Sequence, residues 1–215
     1  MNDFNSLPTI LSDVRIDVRH LPQVPEIKLY LLQDDYPTRN LAEDDYLRLM
    51  ANPPYWAFCW GGGQALARWV LDNAKYIAQR SVVDFGAGSG VAGIAAALAG
   101  ATRVLAVDID SAALQVCLKN ARLNRVTLEV SPACGVSAAS IMLAADVCYE
   151  GEGLEGVMQH LQNGGDLLLA ESRLRDISSL LPQLKKITQY RIRTYPDLDE
   201  SERYDQVDLY STFIG

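Results

Sequence analysis

The sequence predicts an α/β protein: a doubly wound, mostly parallel sheet of seven strands that ends in an antiparallel hairpin and follows an N-terminal extension. Three observations predict it. Five strand-like runs alternate with helical patterns between Ser81 and Leu184. Two more alternating runs, at 187–195 and 207–214, follow with only an acidic turn at 196–202 between them. The segment Val82 to Gly90, V-V-D-F-G-A-G-S-G, sets Gly86, Gly88 and Gly90 at the tip of the first of these strands and opens a small-residue helix.

The elements follow in order. A proline-punctuated stretch at 21–25 precedes Ile27, Lys28, Leu29, Tyr30 and Leu31, which alternate like a strand. Acidic residues at 43–45 open a short amphipathic helix toward Met50, and Pro53-Pro54 ends it, because proline restricts the residue before it. Leu66, Trp69, Val70 and Ile77 recur at helical spacing across 64–79. Then come strand 81–85, helix 91–99, strand 103–108 and helix 111–124, with Ser111 or Asp110 as its cap. A weaker strand lies at 127–130 and a stronger one at 141–149. Gly164 closes a helix at 154–163, the strand 166–171 follows, and 175–184 reads as helical despite Pro182. This order is Rossmann-like. Residues 1–50 are read as an extension packed on a core of 51–215, one globular unit overall.

Composition narrows the function. A chain of 215 residues, 49% hydrophobic, suits one domain with a full core and excludes overall disorder. Charge or glycine interrupts the longest apolar stretches, so no bilayer span is expected, and no basic-then-apolar leader opens the sequence. Cys59, Cys117, Cys134 and Cys148 show neither C-x-x-C spacing nor a disulfide rhythm. They read as reduced thiols of a cytoplasmic protein, with Cys59 and Cys148 as buried small hydrophobes. The formal charge is −8, and Lys and Arg are scattered except at Lys185-Lys186 and Arg191 with Arg193. That balance argues against a nucleic-acid partner and suits either a lysine-bearing protein partner or solubility alone. His20 and His160 stand in no motif, no metal-ligand cluster is evident, and His160 reads as a partly exposed helix residue.

Two ligands compete for the glycine turn. Gly88, Gly90 and Gly93 spell G-x-G-x-x-G, with Asp108 near the place of the ribose-binding acid of a dinucleotide fold. Asp84, two residues before Gly86, discriminates between them. Its carboxylate would repel a pyrophosphate, whereas S-adenosylmethionine carries an ammonium and a sulfonium and no phosphate. Asp84 also has a purely structural reading, as a cap before a tight turn. A dinucleotide-dependent dehydrogenase would continue with another strand–helix unit and a substrate domain, where this sequence has its hairpin.

The block Trp56-Ala57-Phe58-Cys59-Trp60-Gly61-Gly62-Gly63-Gln64-Ala65-Leu66-Ala67 precedes the turn, and Asp146-Val147-Cys148-Tyr149 follows it as D-x-x-Y. Together they resemble the seven-β-strand (class I) S-adenosylmethionine-dependent protein lysine methyltransferases, most closely those acting on the electron transfer flavoprotein β subunit. More distantly the sequence is similar to the ribosomal protein L11 methyltransferases. The resemblance runs from about Val24 to the C-terminus. It implies that Asp84 and the turn Gly86, Ala87, Gly88 and Gly90 hold the methionine portion of the donor. Asp108 would take both ribose hydroxyls, with Ile109 beside it in the donor-binding set. Trp60 and Gln64 would close the pocket from the N-terminal side, although Trp60 is also a candidate for the core.

In the same resemblance Asp146 and Tyr149 form the catalytic pair. Asp146 would accept a hydrogen bond from the substrate amine, and Tyr149 would shape the target channel or be a packed loop tyrosine. Many relatives place an acid after the third strand to meet the adenine amine; Val130-Ser131-Pro132-Ala133-Cys134 has none, which leaves backbone or Ser131. The expected function is S-adenosylmethionine-dependent methyl transfer to a deprotonated lysine of a protein, with electron transfer flavoprotein or a ribosomal protein as the implied substrate. Two readings stay open beside it: methyl transfer to a small-molecule amine or other nucleophile, and an NAD-binding oxidoreductase or noncatalytic module. Neither a metal, nor nucleic acid, nor a membrane is expected to take part.

Overall fold

Central strands of a parallel sheet are covered on both faces, so they need apolar side chains at successive positions. Here the inner strands supply them. The computed structural model describes residues 15–33, 44, 51, 53–132, 140–148, 151–174 and 177–214. Strands β1 (Ile16–His20) and β2 (Lys28–Leu32) pair antiparallel as a hairpin. The main sheet comprises β3 (Ser81–Phe85), β4 (Arg103–Val107), β5 (Glu129–Ser131), β6 (Ile141–Ala145), β7 (Asp166–Glu171), β8 (Lys185–Arg191) and β9 (Gln206–Ser211). Their order is β5-β4-β3-β6-β7-β9-β8. Strands β3 to β7 run parallel, and β9 lies antiparallel between β7 and β8. The seven-stranded sheet and its terminal hairpin are therefore as the sequence predicts.

The helices are α1 (Gly61–Asp72), α2 (Val91–Leu98), α3 (Ser111–Leu123), α4 (Gly151–Gln162) and the short α5 (Ile177–Leu180). Alternate residues of the strands serve opposite faces. Ile141 and Leu143 of β6, with Leu168 and Ala170 of β7, pack with Leu66 and Val70 of α1 and Ile94 of α2. Met142, Ala144, Leu167 and Leu169 of the same strands pack with Val157 of α4 on the other side. The chain steps outward from β3 through β4 to β5 and then returns across β3 to β6. That reversal opens a crevice at the carboxyl ends of β3 and β6, the position where ligands bind in open α/β sheets.

Several elements depart from their predicted bounds. The helix expected at 64–79 starts at Gly61 and stops at Asp72, because both amide groups of Asn73 donate to Trp69 O at 2.9 Å. A 3₁₀ turn at Ala74–Tyr76 then carries Ile77 into the core. Asp110, not Ser111, caps α3: its Oδ1 accepts from Ala112 N at 2.8 Å, and Ser111 is the first helical residue. Among the described residues between 175 and 184, Ile177–Leu180 is helical, and Pro182, which has no amide hydrogen, sits in the turn that follows. His160 is not partly exposed but 1% accessible, and its Nε2 lies 2.8 Å from Asp166 O. The chain folds back through the Gly164 turn and brings Asp166 over the ring. The predicted helix at 43–50 lies outside the described residues except for Asp44, which is helical.

Two asparagines of α3 and its end dock the hairpin onto the sheet. Asn124 accepts from Lys28 N at 2.9 Å and donates to Lys28 O at 2.6 Å. Asn120, fully buried, accepts from Tyr30 N at 2.8 Å and donates to Ser89 O at 2.8 Å, so one side chain ties β2 to the glycine turn. Replacing Asn120 by Ala strands a buried donor and a buried acceptor, which costs about 3 kcal/mol. Urea unfolding of Asn120→Ala is expected to show that loss, whereas Asn124→Ala, with half-exposed partners, is expected to lose no more than about 1 kcal/mol.

Candidate functional site

The crevice is built first by the glycine turn. β3 delivers Asp84 to the sheet's carboxyl edge, where it is buried and its Oδ2 accepts from Gly93 N at 2.8 Å. The N-cap of α2 is Gly90, which has no side chain, so Asp84 satisfies an amide of the first helical turn from the adjoining strand. Burial pushes the Asp84 carboxyl up to about 7, against the bond from Gly93 and with help from the nearby charge of Asp108. Gly86 and Ala87 both donate to Val107 O, at 2.9 and 3.0 Å, which stitches the turn to β4.

Asp108 completes that stitching. Its Oδ2 accepts from Gly88 N at 2.8 Å and its Oδ1 from Asp110 N at 2.9 Å. Burial raises this carboxyl too, with the two amide bonds pulling the other way. Gly88 has φ +51°, and a Cβ placed there would meet nothing within 4 Å, so bare backbone faces open space. Next to it Ile109 is 83% accessible, the highest among the large apolar side chains described. Behind the turn Cys117 Sγ lies 3.3 Å from Gly88 O and fills the space at Gly90.

The second half of the site is a carboxyl network at the ends of β6 and β7. Ala145 pairs with Ala170 in register, so the next residues, Asp146 and Glu171, stand side by side at the carboxyl edge of the sheet. Asp146 has φ +51°, a conformation costly for a non-glycine residue, and it is held there by several bonds. Its Oδ1 accepts from Ser172 N at 2.7 Å and from Ser172 Oγ at 2.8 Å, and the Gly62 amide donates to the same carboxylate. A Cβ on Gly62 would come within 2.2 Å of Asp146 Oδ2, which explains the bare backbone at the start of α1. The positive end of α1 thus meets a carboxylate.

Glu171 is 2% accessible. Its Oε1 accepts from Arg173 N at 2.8 Å and Leu174 N at 3.1 Å, while Oε2 is buried without a hydrogen-bond partner. Burial and the Asp146 charge both raise Glu171, and burial likewise raises Asp146. Arg173 closes the cluster. Its guanidinium bonds Glu200 at 2.7 Å and stands 4.1 Å over the Tyr204 ring and 5.5 Å over the Trp60 ring.

Trp60 caps α1, donates from Nε1 to Tyr55 O at 2.9 Å, and tilts against the Tyr55 and Phe58 rings. It is half-buried at the crevice rim, not part of the core. Gln64 is completely buried, and its Nε2 ties Cys59 O at 3.0 Å to Arg193 O at 2.8 Å. It lines a cavity of about 440 Å³ with Thr194, Tyr195 and Asp205, and no residue of the glycine turn lines that cavity.

The structure brings Asp84, Gly86, Ala87, Gly88 and Gly90 of the β3–α2 connection together with Asp108 and Ile109, which follow β4. It sets Asp146 and Trp60 on the facing side, because Gly86 abuts Val147 and Gly63 abuts Val91. Tyr149 and Cys134 lie outside the described residues. Sequence reasoning did not single out Gly62, Glu171, Ser172 or Arg173. The available signal was Glu171 itself, an acid at the end of an otherwise apolar strand run, D-L-L-L-A-E.

Asp84 has a consequence for stability. Its ordinary value is 3.8 and its folded value about 7, so the folded state holds the extra proton between them. The contribution of this group to stability therefore falls as pH rises through that window and is constant above it. Chemical denaturation at about pH 5 and about pH 8 is expected to show a shallower pH dependence in Asp84→Asn, which keeps an acceptor for Gly93. Glu171 adds a slope of the same sign in both proteins.

Comparison with known proteins agrees with this geometry. Residues 65–148 match the family described as ribosomal protein L11 methyltransferase (PrmA). The electron transfer flavoprotein beta subunit lysine methyltransferase of Xenopus laevis is 31% identical over 199 residues, covering 87% of this chain and 78% of that protein. The human protein of the same name is 39% identical over 119 residues, covering 47% of this chain and 45% of its own length. The chain thus spans less than half the length of the human relative that it matches, and more than three quarters of the frog one. Among solved structures, the Thermus thermophilus 16S rRNA N2 G1207 methyltransferase, in complex with AdoMet and guanosine, superposes with a TM-score of 0.55 at 13% identity. That superposition covers 92% of this chain and 50% of the other. The Lactobacillus delbrueckii ribosomal protein L11 methylase superposes with a TM-score of 0.50 at 21% identity, covering 70% of this chain and 77% of the other. These structural likenesses show the shared methyltransferase fold. On the extent of the frog match, the chain belongs to the electron transfer flavoprotein β subunit lysine methyltransferase family.

Proposed function

We propose that this chain transfers a methyl group from S-adenosylmethionine to a lysine amine of a protein. The observation that carries the reading is the pairing of a cation-compatible glycine turn with a carboxylate network across one crevice. Two acids, Asp84 and Asp108, stand at the turn where a pyrophosphate would need positive charge. The space beside Gly88 and the uncovered Ile109 fit a ligand with an apolar base and a close approach to backbone.

In this reading Asp108 holds the ribose hydroxyls, because each oxygen that already accepts one amide keeps a further lone pair. Ile109 packs on the adenine, and Gly86, Ala87, Gly88 and Gly90 form the cradle for the methionine portion. Asp84 acts from beneath, by holding the turn and by its field. Trp60 borders the donor from the α1 side, and Gln64 supports that border by fixing Cys59 and Arg193. S-adenosylmethionine, when bound, supplies an electrophilic methyl on sulfonium. The chain aligns the lysine nitrogen for in-line displacement and keeps bulk water out. Asp146 orients the amine, and Tyr149 shapes the channel to it.

The names of the relatives favour the electron transfer flavoprotein β subunit as acceptor, and the family match over residues 65–148 makes a ribosomal protein the alternative. The net charge of −8 suits a lysine-bearing surface. Cys59, Cys117 and Cys148 are free and buried, which fits a reducing compartment, and we place the protein in the cytoplasm. No helix among the described residues is long and apolar enough to cross a membrane.

Thermal unfolding is expected to shift upward with S-adenosylhomocysteine and not with NAD, and Asp108→Ala is expected to lose that shift. With radiolabelled donor, wild-type protein is expected to label a discrete protein band in a cell extract or purified electron transfer flavoprotein. Asp146→Ala is expected to keep the thermal shift and lose the label by about 10²-fold or more. Label confined to small molecules would favour a small-amine methyltransferase.

A further inference from the structure

An ammonium has no lone pair, so a lysine must lose a proton before it can attack, and the deprotonation needs a destination. The structure offers one beyond Asp146. Glu171 is 2% accessible, emerges beside Asp146 from the neighbouring strand, and keeps one buried carboxyl oxygen, Oε2, without a hydrogen-bond partner. Oε1 takes the amides of Arg173 and Leu174, and the remaining side-chain contact is with the Asp146 carboxyl, which raises Glu171. Asp146, by contrast, is crowded with donors from Ser172 and Gly62.

We infer that Asp146 and Glu171 act as one proton-accepting unit, in which Asp146 meets the acceptor amine and Glu171 receives the proton on Oε2. The inference rests on the proposed transfer to lysine. In the step, one N–H bond of the ammonium breaks and its electron pair stays on nitrogen. The proton passes to Asp146 and a proton comes to rest on Glu171, so the pair gains one proton in all. The nitrogen pair then forms the N–C bond while the C–S pair returns to sulfur, which leaves a methylammonium and a neutral thioether. The proton leaves Glu171 for solvent when the product departs.

The environment drives the transfer. Two ionised carboxylates side by side in a buried place repel, and taking up one proton relieves that repulsion. The Asp146 carboxyl and the Cys148 thiol face Glu171 from the loop after β6, whereas the Arg173 guanidinium, on the loop after β7, acts on Asp146. The Arg173 guanidinium is engaged by Glu200. Across the strand pair, Asp208 of β9 is matched by Lys186 Nζ at 2.8 Å. From α4 the contacts on this face are apolar, Leu154 and Val157. No neighbouring cation is therefore aimed at Oε2 among the described residues, and Asp146 is the charge that governs it. Glu171 is a positioning and proton-holding residue that acts through Asp146.

The test uses the full chain with purified electron transfer flavoprotein and radiolabelled S-adenosylmethionine. Wild-type kcat is expected to rise with pH through a titration near neutrality, because Glu171 must be ionised to receive the proton. Glu171→Gln is expected to lower kcat by about 10²-fold, flatten that rise and leave the KM for the donor unchanged. An infrared pH titration gives a readout without turnover: the protonated-carboxyl absorption at mildly acidic pH is expected to lose the Glu171 component in Glu171→Gln, while the Asp84 component stays. In Asp146→Asn the Glu171 component is expected to titrate at lower pH, because the neighbouring charge is gone. A wild-type-like pH profile in Glu171→Gln, or a carboxyl band unaffected by either substitution, overturns the inference while leaving methyl transfer intact. If the wild type labels no lysine although the band behaves as expected, the proposed function fails and the relay with it.

Discussion

The Gly93 amide donates to Asp84 across 2.8 Å, and the rest of the site depends on that bond. It pins the first turn of α2 to the end of β3 and so fixes the span of backbone between them. Within that span the chain must reverse, approach β4 and leave room for a ligand. Gly86, Gly88 and Gly90, all at positive φ, make the reversal, and Val107 O and Asp108 hold it against β4. A residue with an amide hydrogen to spare and no side chain is needed at several successive places, and a carboxylate is needed beneath. A pyrophosphate would have to approach two acids; a sulfonium and an ammonium are attracted to them.

A second constraint follows from the same sheet. Because β6 and β7 are parallel and in register up to Ala145 and Ala170, the residues that come next, Asp146 and Glu171, stand together at the carboxyl edge, and both are acids. Asp146 is held at positive φ by Ser172 and by the amide at the start of α1, while Glu171 is held by the loop after it. Arg173, gripped by Glu200 and stacked on Tyr204, links this network to the rim at Trp60. The glycine turn and the carboxyl network therefore share one edge, joined where Gly86 abuts Val147 and Gly63 abuts Val91.

Much of this was legible in the sequence where local pattern and tertiary role coincide. The strands at 81–85 and 166–171 were read to the residue, because apolar runs bounded by a glycine turn or by Gly164-Gly165 leave little freedom. The glycine turn at 86–90 was readable as a turn for the same reason. Elements whose limits are set by distant partners were not. Asn73 ends α1 through Trp69, His160 is buried by a chain that folds back over it, and β1 exists only because β2 pairs with it. The role of Gln64 was also hidden, and Asp84, readable as a cap before a tight turn, gave no sign of which helix amide it caps. That Asp84 caps α2 from the strand, and that Gln64 joins Cys59 to Arg193, are facts of three-dimensional approach. In sequence Glu171 is an ordinary strand-ending acid, and only the register of β6 with β7 gives it a partner.

The turn from Gly86 to Gly90, with Asp108 and Ile109, is proposed as the S-adenosylmethionine cradle. The most direct measurement is a titration of isotopically labelled protein with S-adenosylhomocysteine, following backbone amide resonances. The account predicts the largest shifts at Gly86, Gly88, Gly90 and Ile109, with none on addition of NAD. Shifts confined to the cavity beside Arg193, or shifts of the turn produced by NAD alone, would contradict it.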